Sequence, residues 1–166
     1  MKRETIEKLV VTLVLLACYI WMLQIGYRVG DDDYSHLLYM FSHANIWHLA
    51  GNVFVLWMMR GRLHLIPSIV IAFLFSYAPV VGSVWSGFMA EGVTMGFSGA
   101  LFAMAGIKWG RYIWLLNDDA LKRRFTKSFF LKVVPIAVAG VLIPHVNWCI
   151  HTYCLMAGFI YGRCRR

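Results

Sequence analysis

Residues 9–27 (LVVTLVLLACYIWMLQIGY) pass without one charged side chain, and that run constrains the chain more than any other feature. A helix that crosses a bilayer needs ~20 predominantly apolar residues, which this run supplies. A secretory signal would have a shorter apolar core, roughly 7–15 residues, followed by a small-residue cleavage site. Neither property fits, so the run is expected to be a retained helix. The rest of the chain agrees: 60% of the 166 residues are hydrophobic and 14% charged, against about 25% charged in globular proteins. With mean hydropathy +0.65, the natural solvent for much of the chain is lipid. There is no internal repeat or low-complexity tract, and no room for a second globular domain, so residues 1–166 are expected to form a single transmembrane domain.

Six apolar segments emerge, at 9–27, 48–60, 63–85, 98–115, 129–146 and 149–163. The fold class expected is therefore all-α, a polytopic bundle of six transmembrane helices. The second and sixth segments are short at ~1.5 Å rise per residue, which suggests that water reaches below one membrane surface. Basic residues orient the path. Lys2, Arg3 and Lys8 precede the first helix, and Arg60 and Arg62 separate the second from the third. Lys122, Arg123, Arg124 and Lys127 lie between the fourth and fifth, and Arg163, Arg165 and Arg166 end the chain. These sit at alternate connections, so by the positive-inside rule they mark the cytoplasmic face and place both termini there. Lys108, Arg111 and Lys132 can snorkel to the same face, and only Arg28 falls on the other side, near Asp31, Asp32 and Asp33. The net charge of +8 then has a topological cause and anionic headgroups for partners, and no nucleic-acid partner is expected.

On that layout the second, fourth and sixth segments begin on the outer side, where unexpected polar residues collect. They are His43, His48 and Asn52, then Ser98, then His151. His48 and Asn52, at i and i+4, share a helix face. A single serine between small residues is usually a helix-packing contact, and a single membrane histidine usually a satisfied interhelical one; His36, His64 and His145 are assigned to that group. Several such groups at one depth point instead to function, because polar residues inside a membrane are expensive. A neutral imidazole can take the proton of a serine hydroxyl. No carboxylate lies at that depth, since Glu91 and Asp31 to Asp33 read as loop residues, so a Ser–His dyad is expected rather than a triad. His48, Asn52 and the Ser98 N–H at a helix start can donate to a developing oxyanion. Gly96 and Gly99 are expected to open space beside the hydroxyl. The chemistry is acyl transfer to serine and then to water.

Other chemistries fit less well. GFSGA nearly matches the G-x-S-x-G elbow, but that turn belongs to soluble strand–helix folds. His43, His48 and His151 could be counted as three zinc ligands, yet i, i+5 is a poor helical spacing for two of them, and no metal or other cofactor is expected. The cysteines Cys18, Cys149, Cys154 and Cys164 show no C-x-x-C spacing and are expected to be packing residues. A channel would need polar residues near both faces, and here they gather near one.

HANIWHLAGN (43–52), GFSG (96–99) and the His151 segment with Gly158 and Gly162 together resemble the rhomboid family of intramembrane serine proteases. The resemblance covers roughly residues 8–163, in order and spacing, and is to the minimal six-helix bacterial type. It implies Ser98 as nucleophile, His151 as general base and acid, His48 and Asn52 at the oxyanion, and His43, Gly96 and Gly99 in support. Phe102 takes the place where the family often has a tyrosine against the imidazole. It further implies a serine endopeptidase that cuts single-pass or few-pass membrane proteins near the outer end of a transmembrane segment. The setting implied is a bacterial inner membrane with the site toward the outer side. The alternative is a rhomboid-like pseudoprotease that binds or escorts helices without cleavage. Cys154 is the departure that favours it, because the family usually has glycine three residues after the histidine. Its sulfur adds bulk where Ser98 and His151 must come within hydrogen-bond reach.

Overall fold

The computed structural model describes residues 2–21, 25–27, 31–77, 94–142 and 148–164. They form helices α1 (Arg3–Trp21), α2 (Asp33–Leu38), α3 (Ile46–Met58), α4 (Leu65–Tyr77), α5 (Ser98–Leu115), α6 (Asp119–Leu142) and α7 (Trp148–Cys164). Extended structure among the described residues is one isolated antiparallel bridge, Tyr27 to Thr94. Arg28, Glu91, His145, Arg165 and Arg166 lie outside the described residues.

Several expected boundaries move, each for a local reason. The first helix begins at Arg3 rather than residue 9, since Arg3–Glu7 and Glu4–Lys8 are paired at i, i+4. It does not reach Tyr27, which is held in the bridge. The basic residues Lys122 to Lys127, read as a connection, belong to the first turns of α6. Asp118 caps that helix by accepting from the Ala120 N–H at 2.7 Å. Asp31 to Asp33 do more than fill a loop: Asp32 caps α2 through the Ser35 N–H at 2.7 Å. That bond holds the Asp32 carboxyl below its usual pKa. The fourth segment coincides with α5 at both ends.

α5 and α7 form the most extensive helix pair, with α4 packed on both. Their backbones nearly touch. A Cβ on Gly106 or Gly110 would collide with the carbonyl of Leu155 or Phe159, and one on Gly158 or Gly162 with that of Ala103 or Ile107. Small residues are needed here because only their absent side chains let two helices approach this far. Around this pair the buried core runs through Leu15, Leu49, Leu56, Leu63, Ala72, Met104 and Ile107.

α3 is only 13 residues long, about 20 Å of rise, and the carbonyls at its C-terminal end need partners from outside the helix. Two lysines meet them. Lys8 of α1 donates to Trp57 O at 3.3 Å and to Met59 O, while Lys108 of α5 donates to Arg60 O at 2.6 Å. Cations at a helix C-terminus satisfy orphan carbonyls and complement the dipole. Lys8 also pairs with Glu4 at 2.7 Å and keeps that carboxyl below its usual pKa.

Among the described residues no helix is long and apolar enough to cross a membrane. α3 and α4 have 13 residues each, and α1 spends its first turns on Arg3, Glu4, Glu7 and Lys8. Yet large apolar side chains face outward along α1 (Leu9, Leu13, Ile20), α3 (Phe54), α4 (Ile66, Val70, Leu74) and α7 (Met156, Ile160).

The helix contact makes opposite predictions for two glycines. Gly158→Ala should destabilise the fold by about 1–3 kcal/mol or more, because backbone cannot give way. Gly51, with nothing within 4 Å of a built Cβ, should gain about 1 kcal/mol as alanine from helix propensity alone. Unfolding titrations in detergent measure both; equal effects would contradict the packing.

Candidate active site

The segment entering α5 is held from two sides. Tyr27 and Thr94 exchange N–H···O bonds at 2.8 Å, and the Gly96 N–H donates to Tyr39 O at 2.8 Å. The Tyr39 hydroxyl in turn donates to Ala72 O on α4 at 3.0 Å. Gly96 has φ +107, a backbone region that residues with a Cβ rarely adopt. This turn delivers Ser98 as the first residue of α5, so its N–H and the two after it have no carbonyl within their own helix.

Across the α5–α7 contact, His151 Nε2 lies 2.7 Å from Ser98 Oγ. The imidazole is 9% exposed and stacks on Phe102, centroids 4.5 Å apart and planes at 14°. Its Nδ1 is buried and has no hydrogen-bond partner among the described residues. The ring is therefore oriented by Phe102 on one face and the serine at one edge, with no carboxylate among the described residues bonded to Nδ1.

Cys154 is fully buried on the next turn of α7. Its sulfur would sit 3.6 Å from a Cβ built on Gly99, an ordinary contact shared with Ala72 and Ile150. The sulfur would keep ordinary contact distance even from a side chain on Gly99, and the serine–histidine distance stays short.

The second cluster lies on and before α3. Asn45 caps the helix by accepting from the His48 N–H at 2.9 Å, which starts the helix where His48 and Asn52 fall one turn apart. His43, 1% exposed, has Nδ1 3.3 Å from Phe41 O and Nε2 2.9 Å from Asn52 Nδ2. A carbonyl can only accept, so the His43 Nδ1–H donates to Phe41 and the Asn52 amide donates to His43 Nε2. One amide hydrogen of Asn52 is spent this way, which fixes the direction of the other. His43 and His48 meet edge to face, centroids 5.1 Å apart at 68°.

Gly96 joins the two clusters. A Cβ there would stand 2.6 Å from His48 Cε1, 2.7 Å from His48 Nε2 and 3.3 Å from Asn52 Nδ2. This corrects one expectation. Gly96 does not open space beside the hydroxyl, because His48 and Asn52 fill its place; a Cβ on Gly99 would meet Ala72, Cys154 and Ile150 only at ordinary contact distances of 3.5–3.8 Å.

Three histidines for a metal do not assemble. No group of three or more His, Cys, Asp or Glu that could hold an ion exists among the described residues, and both His43 nitrogens already have partners. His36 packs among Tyr27, Tyr39 and Phe73, apart from these clusters. Sequence reasoning missed Tyr39, Phe41 and Asn45. Asn45 carries a readable signal, an N-cap residue before an apolar run. Phe41 and Tyr39 hold His43 and Gly96 through backbone carbonyls, for which side-chain identity gives no cue.

A family model described as the rhomboid domain matches residues 31–166. Neither the curated proteins nor the solved structures give a match. The family match covers most of the chain and contains every residue of both clusters: the chain belongs to the rhomboid family of integral membrane proteins.

Proposed function

We propose that the protein is an intramembrane serine endopeptidase, with the 2.7 Å contact between Ser98 Oγ and His151 Nε2 as the observation that carries the reading. Ser98 donates its proton to Nε2 while its oxygen attacks a scissile carbonyl carbon. The negative charge moves to the carbonyl oxygen, which accepts hydrogen bonds from the free N–H groups at the start of α5, the second amide hydrogen of Asn52 and His48. The C–N bond then breaks as His151 returns the proton to the leaving amine. Water, deprotonated by the same nitrogen, attacks the acyl-serine and releases the second product. His43 serves as a positioning residue that holds the Asn52 amide.

The outward apolar surfaces of α1, α3, α4 and α7 support insertion in a bilayer, since exposed patches on that scale mark lipid or partner contact. Six spans, cytoplasmic termini, an outward-facing site and a bacterial inner membrane belong to the same proposal. The substrate is a transmembrane segment that unwinds locally, because a helical amide keeps its carbonyl hydrogen-bonded. The pseudoprotease alternative rests on Cys154, and the accommodation of its sulfur against Gly99 weighs against it.

With purified protein and a quenched transmembrane peptide, Ser98→Ala and His151→Ala should each lower turnover by about 10⁴-fold or more. Asn52→Ala should lower kcat by about 10²–10³-fold. Cys154→Gly should keep turnover of the same order. Wild-type protein that neither cleaves nor reacts at Ser98 with a fluorophosphonate would establish the pseudoprotease.

Gly96→Ala and Gly99→Ala separate the roles of the two flanking glycines. The first needs a strained backbone and displaces His48, costing about 1–3 kcal/mol of stability and lowering kcat. The second meets only contacts of 3.5 Å or more and should retain activity. Equal losses in thermal unfolding and kinetics would refute the assignment.

A further inference from the structure

Two tyrosines meet the extended approach to α5. Tyr27 exchanges N–H···O bonds with Thr94, and the Tyr39 carbonyl accepts from the Gly96 N–H two residues on. Their rings pack at 6.2 Å, with His36 against both. Tyr39 differs from Tyr27 in what else it holds. Its carbonyl also accepts from the Ser42 N–H at 3.3 Å, one residue before His43. Its side chain is 1% exposed, and its hydroxyl donates to Ala72 O on α4 at 3.0 Å. Ala72 is fully buried, and its Cβ would stand 3.5 Å from a Cβ on Gly99.

One carbonyl therefore serves both halves of the candidate site. Gly96 leads to Ser98 and lies against His48 and Asn52, while Ser42 leads to His43, which holds the Asn52 amide. A carbonyl has two lone pairs and can accept both bonds at once. Those bonds join the two halves to each other but not to the bundle; the hydroxyl does that, at the α4 residue that also faces Gly99. Packing alone needs a ring at this position, not a hydroxyl, since phenylalanine would fill the same space. Nor does α4 need the donor, because a carbonyl inside a helix already has an N–H partner. A buried O–H is tolerated only when bonded, so this one adds direction rather than bulk.

We propose that Tyr39 is a positioning residue for peptide hydrolysis, its hydroxyl bond to Ala72 O setting Ser98 in register with the oxyanion donors Asn52 and His48. The proposal rests on the protease reading above. Tyr39 touches no reacting atom; it acts through Gly96 on the nucleophile side and through the Ser42–His43 segment on the amide side. Attack and charge stabilisation must be aligned at the same moment, and a misplacement of about 1 Å can cost about 10²-fold in rate. Loss of the hydroxyl leaves both backbone bonds in place but releases the pair from α4, so the expected defect is in turnover rather than in substrate binding.

Steady-state cleavage of the quenched transmembrane peptide by the full chain in detergent tests this. Tyr39→Phe should lower kcat about tenfold or more with KM unchanged, and slow fluorophosphonate labelling of Ser98 by a similar factor. A 4-aminophenylalanine in place of Tyr39 restores a donor and should recover most of the loss. In an Asn52→Ala background Tyr39→Phe should cost about threefold or less, because residues that act through one group are not additive. Ser68→Ala removes another hydroxyl donor of α4, bonded to His64 O at 2.9 Å, and should lower the thermal midpoint with kcat unchanged. Wild-type kcat in Tyr39→Phe, no recovery with the amine, equal losses in the two backgrounds, or an equal fall in Ser68→Ala overturns the assignment. Should Tyr39→Phe fail to fold, hydrogen exchange of the wild type decides: the Gly96 N–H should exchange as slowly as the α5 core, and exchange at the rate of an unbonded amide overturns the proposal. A wild type that neither cleaves nor labels sinks the protease reading and this proposal with it. An active wild type beside a fully active Tyr39→Phe sinks the positioning role alone.

Discussion

Backbone contact between α5 and α7 is the constraint on which the rest of the structure depends. Gly106, Gly110, Gly158 and Gly162 remove the side chains that would hold these helices apart. Dispersion over so many close atoms is individually weak and collectively large. The pair that results is rigid enough to hold Ser98 and His151, on different helices and 53 residues apart, at 2.7 Å. The same contact explains why Cys154 is tolerated. Its sulfur lies above the tightest region, where Gly99 leaves room, so one larger residue does not wedge the pair open.

A second set of constraints brings α3 to that pair. Its N-terminal end is fixed by Asn45 and by the contact of His48 and Asn52 with Gly96, and its C-terminal end by Lys8 and Lys108. Both ends of a short helix are thus tied to neighbours through groups that would otherwise be orphaned. The polar chain from Phe41 through His43 to Asn52 carries this fixing into the candidate site. One amide hydrogen is committed and the other is left to point elsewhere. Preorganisation of this kind lets a donor stabilise developing charge without reorganising first.

The chain also shows how charge is placed in a protein meant for lipid. Lys8 and Lys108 are spent on helix-end carbonyls, while Arg123 and Lys127 stay exposed in the first turns of α6. Positive residues that look equivalent in a topology argument therefore do different physical work. Only their neighbours distinguish a structural cap from an exposed charge.

Much of this was legible in the residues alone. Apolar runs marked the helices, and the α5 boundaries followed from hydropathy and the glycine-flanked serine. The candidate cluster was legible too, because a hydroxyl, imidazoles and an amide are conspicuous in apolar segments. Long-range backbone partners were not. The bridge from Tyr27 to Thr94 and the acceptors Tyr39 and Phe41 work through main-chain atoms that every residue possesses. Nor could the sequence tell whether Gly96 exposes the serine or receives side chains, since an absent Cβ permits both. Residue chemistry determined which groups were available for function. Their distances, and what fills the space beside each glycine, were decided by the packing of helices far apart in the chain, because a contact depends on both surfaces at once.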